Sequence, residues 1–123
     1  MSEINEMSAP VLPSLENADA KELAEAIAEV LDSKKGFDIQ VVHVADKTVV
    51  AEYFVICSGN TSTHIKGLVD EVEYKIGQRE LLPYHVEGRD NNAWIVMDYS
   101  HVIVHVFTRE AREFYNLEKL YEN

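Results

Sequence analysis

The stretch 57–64, which reads Cys-Ser-Gly-Asn-Thr-Ser-Thr-His, contains residue types that could do chemistry. A thiol at a helix amino terminus can act as a nucleophile, and His64 could serve as its base. Cys57 closes an apolar run, however, and no third residue to orient the base is evident, so a buried, inert thiol is the favoured interpretation. A lone Gly59 is weak evidence for a phosphate-binding loop, and a helix cap by Thr61 or Ser62 explains the same residues.

Two further kinds of site fail on geometry. His101 and His105 are four residues apart in a predicted strand, a span of about 13 Å, whereas ligands of one zinc ion each lie about 2 Å from it. A nucleotidyl-transferring site needs two carboxylates two residues apart on one strand face, but Val96 and Ser100 occupy those positions around Asp98. The sequence therefore predicts no catalytic residue, no metal site and no cofactor.

The remaining candidates lie on a predicted hairpin, residues 93–107. Two β-branched runs are separated by Asp98, Tyr99 and Ser100, a pattern typical of antiparallel strands joined by a tight turn. The second strand has valines on one face and the two histidines on the other, which predicts one core face and one polar face. Trp94, Asp98 and Tyr99 could then offer aromatic surface and charge to a partner. The alternative is that Trp94 fills the core and Asp98 only closes the turn.

The elements that must position this hairpin follow from hydrophobic periodicity. Before it come a helix from Asn17 to a stop at Gly36, a half-buried strand over 37–44, an interior strand over 52–57 and a helix ending near Gly77. A short strand over 81–87 that contains a proline suits a sheet edge. We expect the first of these strands to turn Phe37, Ile39, Val41 and His43 to one side.

After the hairpin, Thr108 is a candidate cap for one or two short helices anchored by Phe114, Leu117 and Leu120. The element order predicts an α/β fold, a single domain with a mixed β-sheet flanked by helices. Residues 1–16 show two prolines and no sustained period, which predicts a flexible N-terminal tail ahead of a domain over 17–123.

Composition narrows the function. The chain has 22 acidic and 11 basic residues, a net charge of −11, and its basic residues are scattered. Binding to DNA or RNA through phosphates is therefore disfavoured, while a basic protein partner is favoured. One cysteine excludes an internal disulfide, and neither a membrane span nor a targeting segment is evident, so we expect a cytoplasmic protein.

Several segments together resemble the ribosomal silencing factor family, also called the Iojap family. They are Glu52–His64 (EYFVICSGNTSTH), Val86–Gly88 (VEG), Trp94–Tyr99 (WIVMDY), Val102–Phe107 (VIVHVF) and Arg112–Leu120 (REFYNLEKL). The resemblance spans roughly residues 20 to 121 in one order. It implies a fold like that of nucleotidyltransferases without their catalytic carboxylates. It also implies a non-enzymatic function, in which the protein binds the large ribosomal subunit through its protein fourteen and hinders joining of the small subunit when nutrients are short.

The resemblance also implies where the partner binds. Trp94, Asp98 and Tyr99 fall on the family's partner-binding hairpin, and His105 and Arg112 border it. The chain departs from the family pattern just after the turn, where residue 101 is histidine instead of an acid. Two other classes of function stay open from the residues alone: a nucleotide-dependent enzyme using the loop 58–62, and a homodimer that associates through the hairpin.

Overall fold

The computed structural model describes residues 12–121 and contains one five-stranded sheet with the strand order β1-β2-β5-β4-β3. The strands are β1 (Phe37–His43), β2 (Tyr53–Gly59), β3 (His85–Glu87), β4 (Trp94–Asp98) and β5 (Val102–Thr108). The helices are α1 (Ala20–Ser33), α2 (Ser62–Gly77), α3 (Arg109–Tyr115) and a 3₁₀ helix (Leu117–Tyr121). Only β2 and β5 pair in parallel, and the other three pairings are antiparallel. The predicted mixed α/β fold and the predicted hairpin are confirmed.

The first face of the sheet lies under α1 and α2. Both helices present a buried apolar stripe to it, because their large aliphatic residues recur at helical spacing. The central strands contribute the valines of β5 and alternate residues of β2 and β4 to the same core. Asp19 caps α1 and Thr61 caps α2, each by accepting a hydrogen bond from a backbone N–H three residues on. No helix within residues 12–121 is long and apolar enough to cross a membrane.

The second face of the sheet lies under α3 and the 3₁₀ helix. Thr108 caps α3, as predicted, and α3 packs on β5 and β2. The core on this side contains Phe54, Ile56, Ile103 and Phe107. Because this cover is short, the β4 and β3 side of the same face stays partly open to solvent.

Three details differ from the sequence-based expectations. The register of β1 shifts between Phe37 and Gln40, a β-bulge, so Phe37 pairs with Ser58 and lies on the second face, whereas Ile39, Val41 and His43 share the first face as predicted. Val41 is 39% exposed although it lies on the same side as Ile39, and Val42, on the other side, packs on the second face. In the C-terminal segment, Phe114 is 80% exposed and Leu120 is 70% exposed, so neither residue is a core anchor.

The predicted flexible tail is wrong at its carboxyl end. Leu15 is buried in the first-face core, and its N–H donates to the carbonyl of Arg79 at 2.7 Å. The Arg79 side chain donates in turn to the carbonyl of Pro13 at 2.8 Å. Residues 14–16 thus extend the domain by crossing the end of α2, and residues 1–11 lie outside the described part of the chain.

Candidate partner-binding face

Strand β4 turns three alternate residues, Trp94, Val96 and Asp98, toward the second face, and all three are half-buried. On the neighbouring strand β3, His85 pairs with Asp98 and Glu87 pairs with Val96, and both β3 residues are exposed. We call these five residues the open face. It is the part of the sheet whose side chains remain accessible beside α3.

Trp94 is the aromatic centre of the open face. Its ring stacks on Phe107 with centroids 4.8 Å apart, and it contacts the Tyr115 ring of α3 at the same distance. The indole Nε1 donates to Nδ1 of His105 at 3.2 Å. Trp94 is therefore part of the second-face core on one side of its ring, and the rest of the ring faces solvent.

His105 lies beneath the open face and not on its border. It is 7% exposed, and burial lowers its pKa to about 4. The neutral ring accepts from Trp94 at Nδ1, so its hydrogen is on Nε2, which has no partner among the described residues. The prediction that His105 belongs to a polar outer face is wrong, because the rings of Phe54, Trp94 and Phe107 cover its imidazole, and His101 lies outside the strand and is exposed.

Asp98 ends β4 and closes the hairpin turn. Its Oδ1 accepts from the N–H of Ser100 at 2.7 Å, and its carbonyl accepts from the N–H of Tyr84 at 2.8 Å. Ser100 has a φ of 77°, which an Asp side chain two residues earlier helps to stabilise. Since Asp98 is still half-exposed, its charge remains available to a partner at the end of the open face.

Tyr99 is not an exposed anchor. It follows Asp98 directly, so its side chain points to the opposite side of the sheet. There it is 4% exposed within the core under α1 and α2, and burial raises the pKa of its hydroxyl. The hydroxyl oxygen has no hydrogen-bond partner among the described residues. The expectation that its ring is available to a partner is wrong.

Arg112 is also committed to the fold. It is 7% exposed, and its Nε donates to Glu118 at 3.0 Å. Its Nη1 donates to Ser58 Oγ at 2.9 Å and to the carbonyl of Asp38 at the β1 bulge. The guanidinium thus ties α3 to β1, β2 and the 3₁₀ helix. Its predicted place on the border of the site is wrong, because these internal acceptors surround it.

The polar groups of the loop between β2 and α2 form hydrogen bonds with one another and with the carbonyl of Lys34. Thr61 Oγ1 accepts from the N–H of His64, whose Nδ1 accepts from the N–H of Asn60. The other ring nitrogen of His64 bonds the carbonyl of Lys34 at 3.1 Å. Burial raises the pKa of the Cys57 thiol to about 12, so a thiolate is strongly disfavoured at neutral pH. The hydrogen bonds of Thr61, His64 and Asn60 show that the loop caps the amino terminus of α2.

A cleft of about 550 Å³ lies beside Arg112, between the β1 bulge and α3. Its charged lining consists of three carboxylates, from Asp38, Glu113 and Glu118, and two guanidiniums. This balance disfavours a phosphate-bearing ligand. Within residues 12–121, no group of three or more His, Cys, Asp or Glu side chains is placed to hold a metal ion.

The prediction from sequence missed five residues of the open face and its surroundings: His85 and Glu87, which the strand order brings beside β4, and Val96, Phe107 and Tyr115. Val96 could have been found from its spacing, since it alternates with Trp94 and Asp98. Phe107 faces Trp94 across the β4–β5 hairpin, so pairing of the two predicted strands could have placed it there. Tyr115 carried no such signal, because it contacts Trp94 only when α3 folds onto the sheet. Tyr115 is 51% exposed beside Trp94 and widens the accessible aromatic surface.

Comparison with known proteins shows which family this chain resembles. A sequence model described as "Ribosomal silencing factor during starvation" matches residues 17–123. A ribosomal silencing factor of Bacillus subtilis is 32% identical over 101 residues, covering 82% of this chain and 86% of the relative. The mouse protein named "Mitochondrial assembly of ribosomal large subunit protein 1" is 32% identical over 98 residues, covering 77% of this chain and 43% of its own length. A crystal structure of a Chromobacterium violaceum protein shares the fold, with a TM-score of 0.81, 24% identity and coverage of 84% and 86%.

Proposed function

This chain belongs to the ribosomal silencing factor family, and we propose that it silences ribosomes by binding the large subunit through its protein fourteen, so that the small subunit cannot join. The observation that carries the proposal is the open face, where a half-exposed tryptophan and carboxylate share one strand of a rigid sheet. The name of the mouse relative, which refers to the large ribosomal subunit, supports the choice of subunit.

The open face has the composition of a binding anchor. Buried or half-buried tryptophans and tyrosines supply a large share of the affinity at protein interfaces, because they remove much apolar surface from water. Trp94 and its neighbour Tyr115 offer such surface, and Val96 continues it along the strand. A partner that packs on Trp94 would complete a cover that α3 begins.

Charge favours a basic partner. The net charge of −11 attracts a basic ribosomal protein and repels exposed ribosomal RNA phosphates. At the open face, Asp98 and Glu87 supply local negative charge, although Glu87 is paired with His85 at 2.8 Å. We infer that Asp98 meets a basic group of the partner and that the contact with RNA is peripheral at most.

Obstruction of subunit joining needs only bulk and residence on the intersubunit side, and no catalysis. The closed loop 58–64 and the acidic cleft agree with a role that uses no nucleotide. We place this action in the cytoplasm, where large subunits await joining. The expected role of this chain is therefore steric repression of translation during nutrient limitation.

The test is co-sedimentation of the protein with separated ribosomal subunits at low salt. Wild-type protein should travel with the large subunit and lower the yield of joined ribosomes. Asp98→Lys should weaken binding at least tenfold, because it places like charges together, and Asp98→Asn should weaken it less, since an amide oxygen can still accept from Ser100. Glu25→Lys, on the exposed face of α1, makes the same charge change elsewhere and should bind almost as wild type.

Three results would contradict the proposal. Wild-type protein that stays at the top of the gradient would remove the large subunit as partner. Equal losses for Asp98→Lys and Glu25→Lys would show attraction by net charge without a defined face. Light scattering that shows a dimer whose fraction is insensitive to added large subunits would assign the open face to self-association instead. Circular dichroism melts of each variant must accompany the binding data.

A further inference from the structure

We propose that His105 is a positioning residue for the open face: its buried Nδ1 fixes the orientation of the Trp94 indole, and His105 itself does not touch the partner. The inference rests on the proposed function, since it assigns a cause to the geometry of the anchor. It replaces the simpler idea that both residues contact the partner side by side.

The hydrogen bond between the two rings has only one direction. An indole Nε1 can donate but not accept, so Nδ1 of His105 must be the acceptor at 3.2 Å. The two residues lie on neighbouring antiparallel strands, where Trp94 pairs with Phe107 and His105 pairs with Val96. Trp94 and His105 are thus diagonal neighbours on one face, within reach of long side chains.

The other contacts of Trp94 are ring packing and restrain the edge of the indole less than a hydrogen bond does. Its rings meet Phe107 at an interplanar angle of 28° and Tyr115 at 44°, and ring packing of this kind is less directional than a hydrogen bond. The bond to His105 adds a directional restraint at the edge of the indole. An anchor held in its binding orientation loses less conformational entropy when a partner arrives, so the restraint should raise affinity.

His105 is suited to this task because it stays neutral. Burial lowers its pKa to about 4, so at neutral pH its Nδ1 keeps the lone pair that Trp94 needs. The ring also fills space against Phe54, with centroids 4.7 Å apart. Since its Nε2 is buried and unpartnered, His105 is not accessible to a second protein on the described surface.

Two variants separate positioning from packing. His105→Phe keeps an aromatic ring against Phe54 but removes the acceptor. His105→Asn is smaller and packs less well, but its side-chain oxygen can take the place of Nδ1. A role in packing alone predicts that affinity for the large subunit follows thermal stability, with the Phe variant better. The positioning role predicts the opposite order of affinity.

The experiment measures binding to isolated large subunits together with the fluorescence of Trp94, which is the only tryptophan in the chain. We expect His105→Phe to melt close to wild type, to bind about five- to tenfold more weakly, and to show a fast component in its anisotropy decay. We expect His105→Asn to melt lower, yet to bind within about threefold of wild type and to lack that component. These fold changes correspond to the usual range for one hydrogen bond.

Affinities that track melting temperature across the three proteins would overturn the inference, as would an unchanged anisotropy decay in His105→Phe. The anisotropy is measured on the free protein. If wild-type protein fails to bind large subunits, the proposed function fails, while the decay curves still decide whether His105 holds the indole.

Discussion

The face under α1 and α2 is closed, whereas the face under α3 is covered on the β2 and β5 side and open along β4 and β3. Helices of 14 and 16 residues cover the first face, and a helix of 7 residues with a 3₁₀ helix of 5 covers the second. The core under α1 and α2 consists of apolar residues, and Tyr99 and Cys57 are its most polar members. The second face also buries His105 and Arg112 and half-buries Trp94.

Under the proposed function, this difference separates stability from recognition within one sheet. A closed apolar face has no side chain to offer a partner, but it holds the strands rigidly. The half-open face keeps aromatic surface accessible and ties its short helix down with polar contacts instead of a large core. A sheet that is rigid on one side can therefore present a preorganised binding surface on the other.

The largest effect should come from removing the polar tie of the second face. Arg112→Leu leaves the acceptors on Asp38, Ser58 and Glu118 without their donor, and it should lower the free energy of unfolding by about 3 kcal/mol. Urea denaturation followed by circular dichroism measures this. Arg109→Leu, on the same helix but exposed, is the matched control and should cost less than about 1 kcal/mol. Similar losses for both would show that α3 does not depend on the tie.

The second prediction concerns the pH dependence of the free energy of unfolding that comes from His105, on the second face. The pKa of His105 is about 4 in the folded protein and near 6.5 ordinarily, so between these values the unfolded chain binds a proton that the fold excludes. The contribution of His105 to the free energy of unfolding is therefore at its full value above about pH 6.5. This contribution is lost as the pH falls from 6.5 to 4. One pKa unit corresponds to about 1.36 kcal/mol, so the total is up to about 3 kcal/mol.

The comparison with His105→Phe isolates this contribution from the titration of carboxylates. Wild-type protein should lose up to about 3 kcal/mol more than the variant between pH 6.5 and 4 in urea titrations. Cys57 and Tyr99 of the first face are neutral over this range, because thiols and phenols ordinarily titrate well above pH 6.5 and burial raises the pKa of both further. Parallel stability curves for the two proteins would mean that His105 is not kept neutral by burial.

The smallest effects come from one substitution made on each face. Val104→Ala, in the closed core, should cost about 2 kcal/mol through lost burial and a residual cavity. Val96→Ala, on the open face, should cost less than about 1 kcal/mol, because solvent can reach the site. Affinity for the large subunit should show the reverse order, with Val96→Ala the weaker binder. If the valines behaved alike in both measurements, the two faces would not divide the tasks.

Local patterns predicted most of the elements. The Thr61 and Thr108 caps, the stripe on α2 and the apolar run of β2 depend on residues close in sequence, and the structure confirms each. The site was predicted less well. Trp94 and Asp98 lie on the open face, but Tyr99 points into the other core because consecutive strand residues alternate. The prediction failed there because it treated the turn as a single exposed unit.

The sequence by itself determined the helices, the order of the strands along the chain and the closed first face, because apolar periodicity encodes which side of each element seeks a core. Only the tertiary structure decided which groups of the second face are covered. Arg112 bonds a carbonyl 74 residues away, at a bulge that no local pattern marked. His105 is buried because the rings of Phe54, Phe107 and Trp94, from three neighbouring strands, close around it, and the order of those strands is decided by distant contacts.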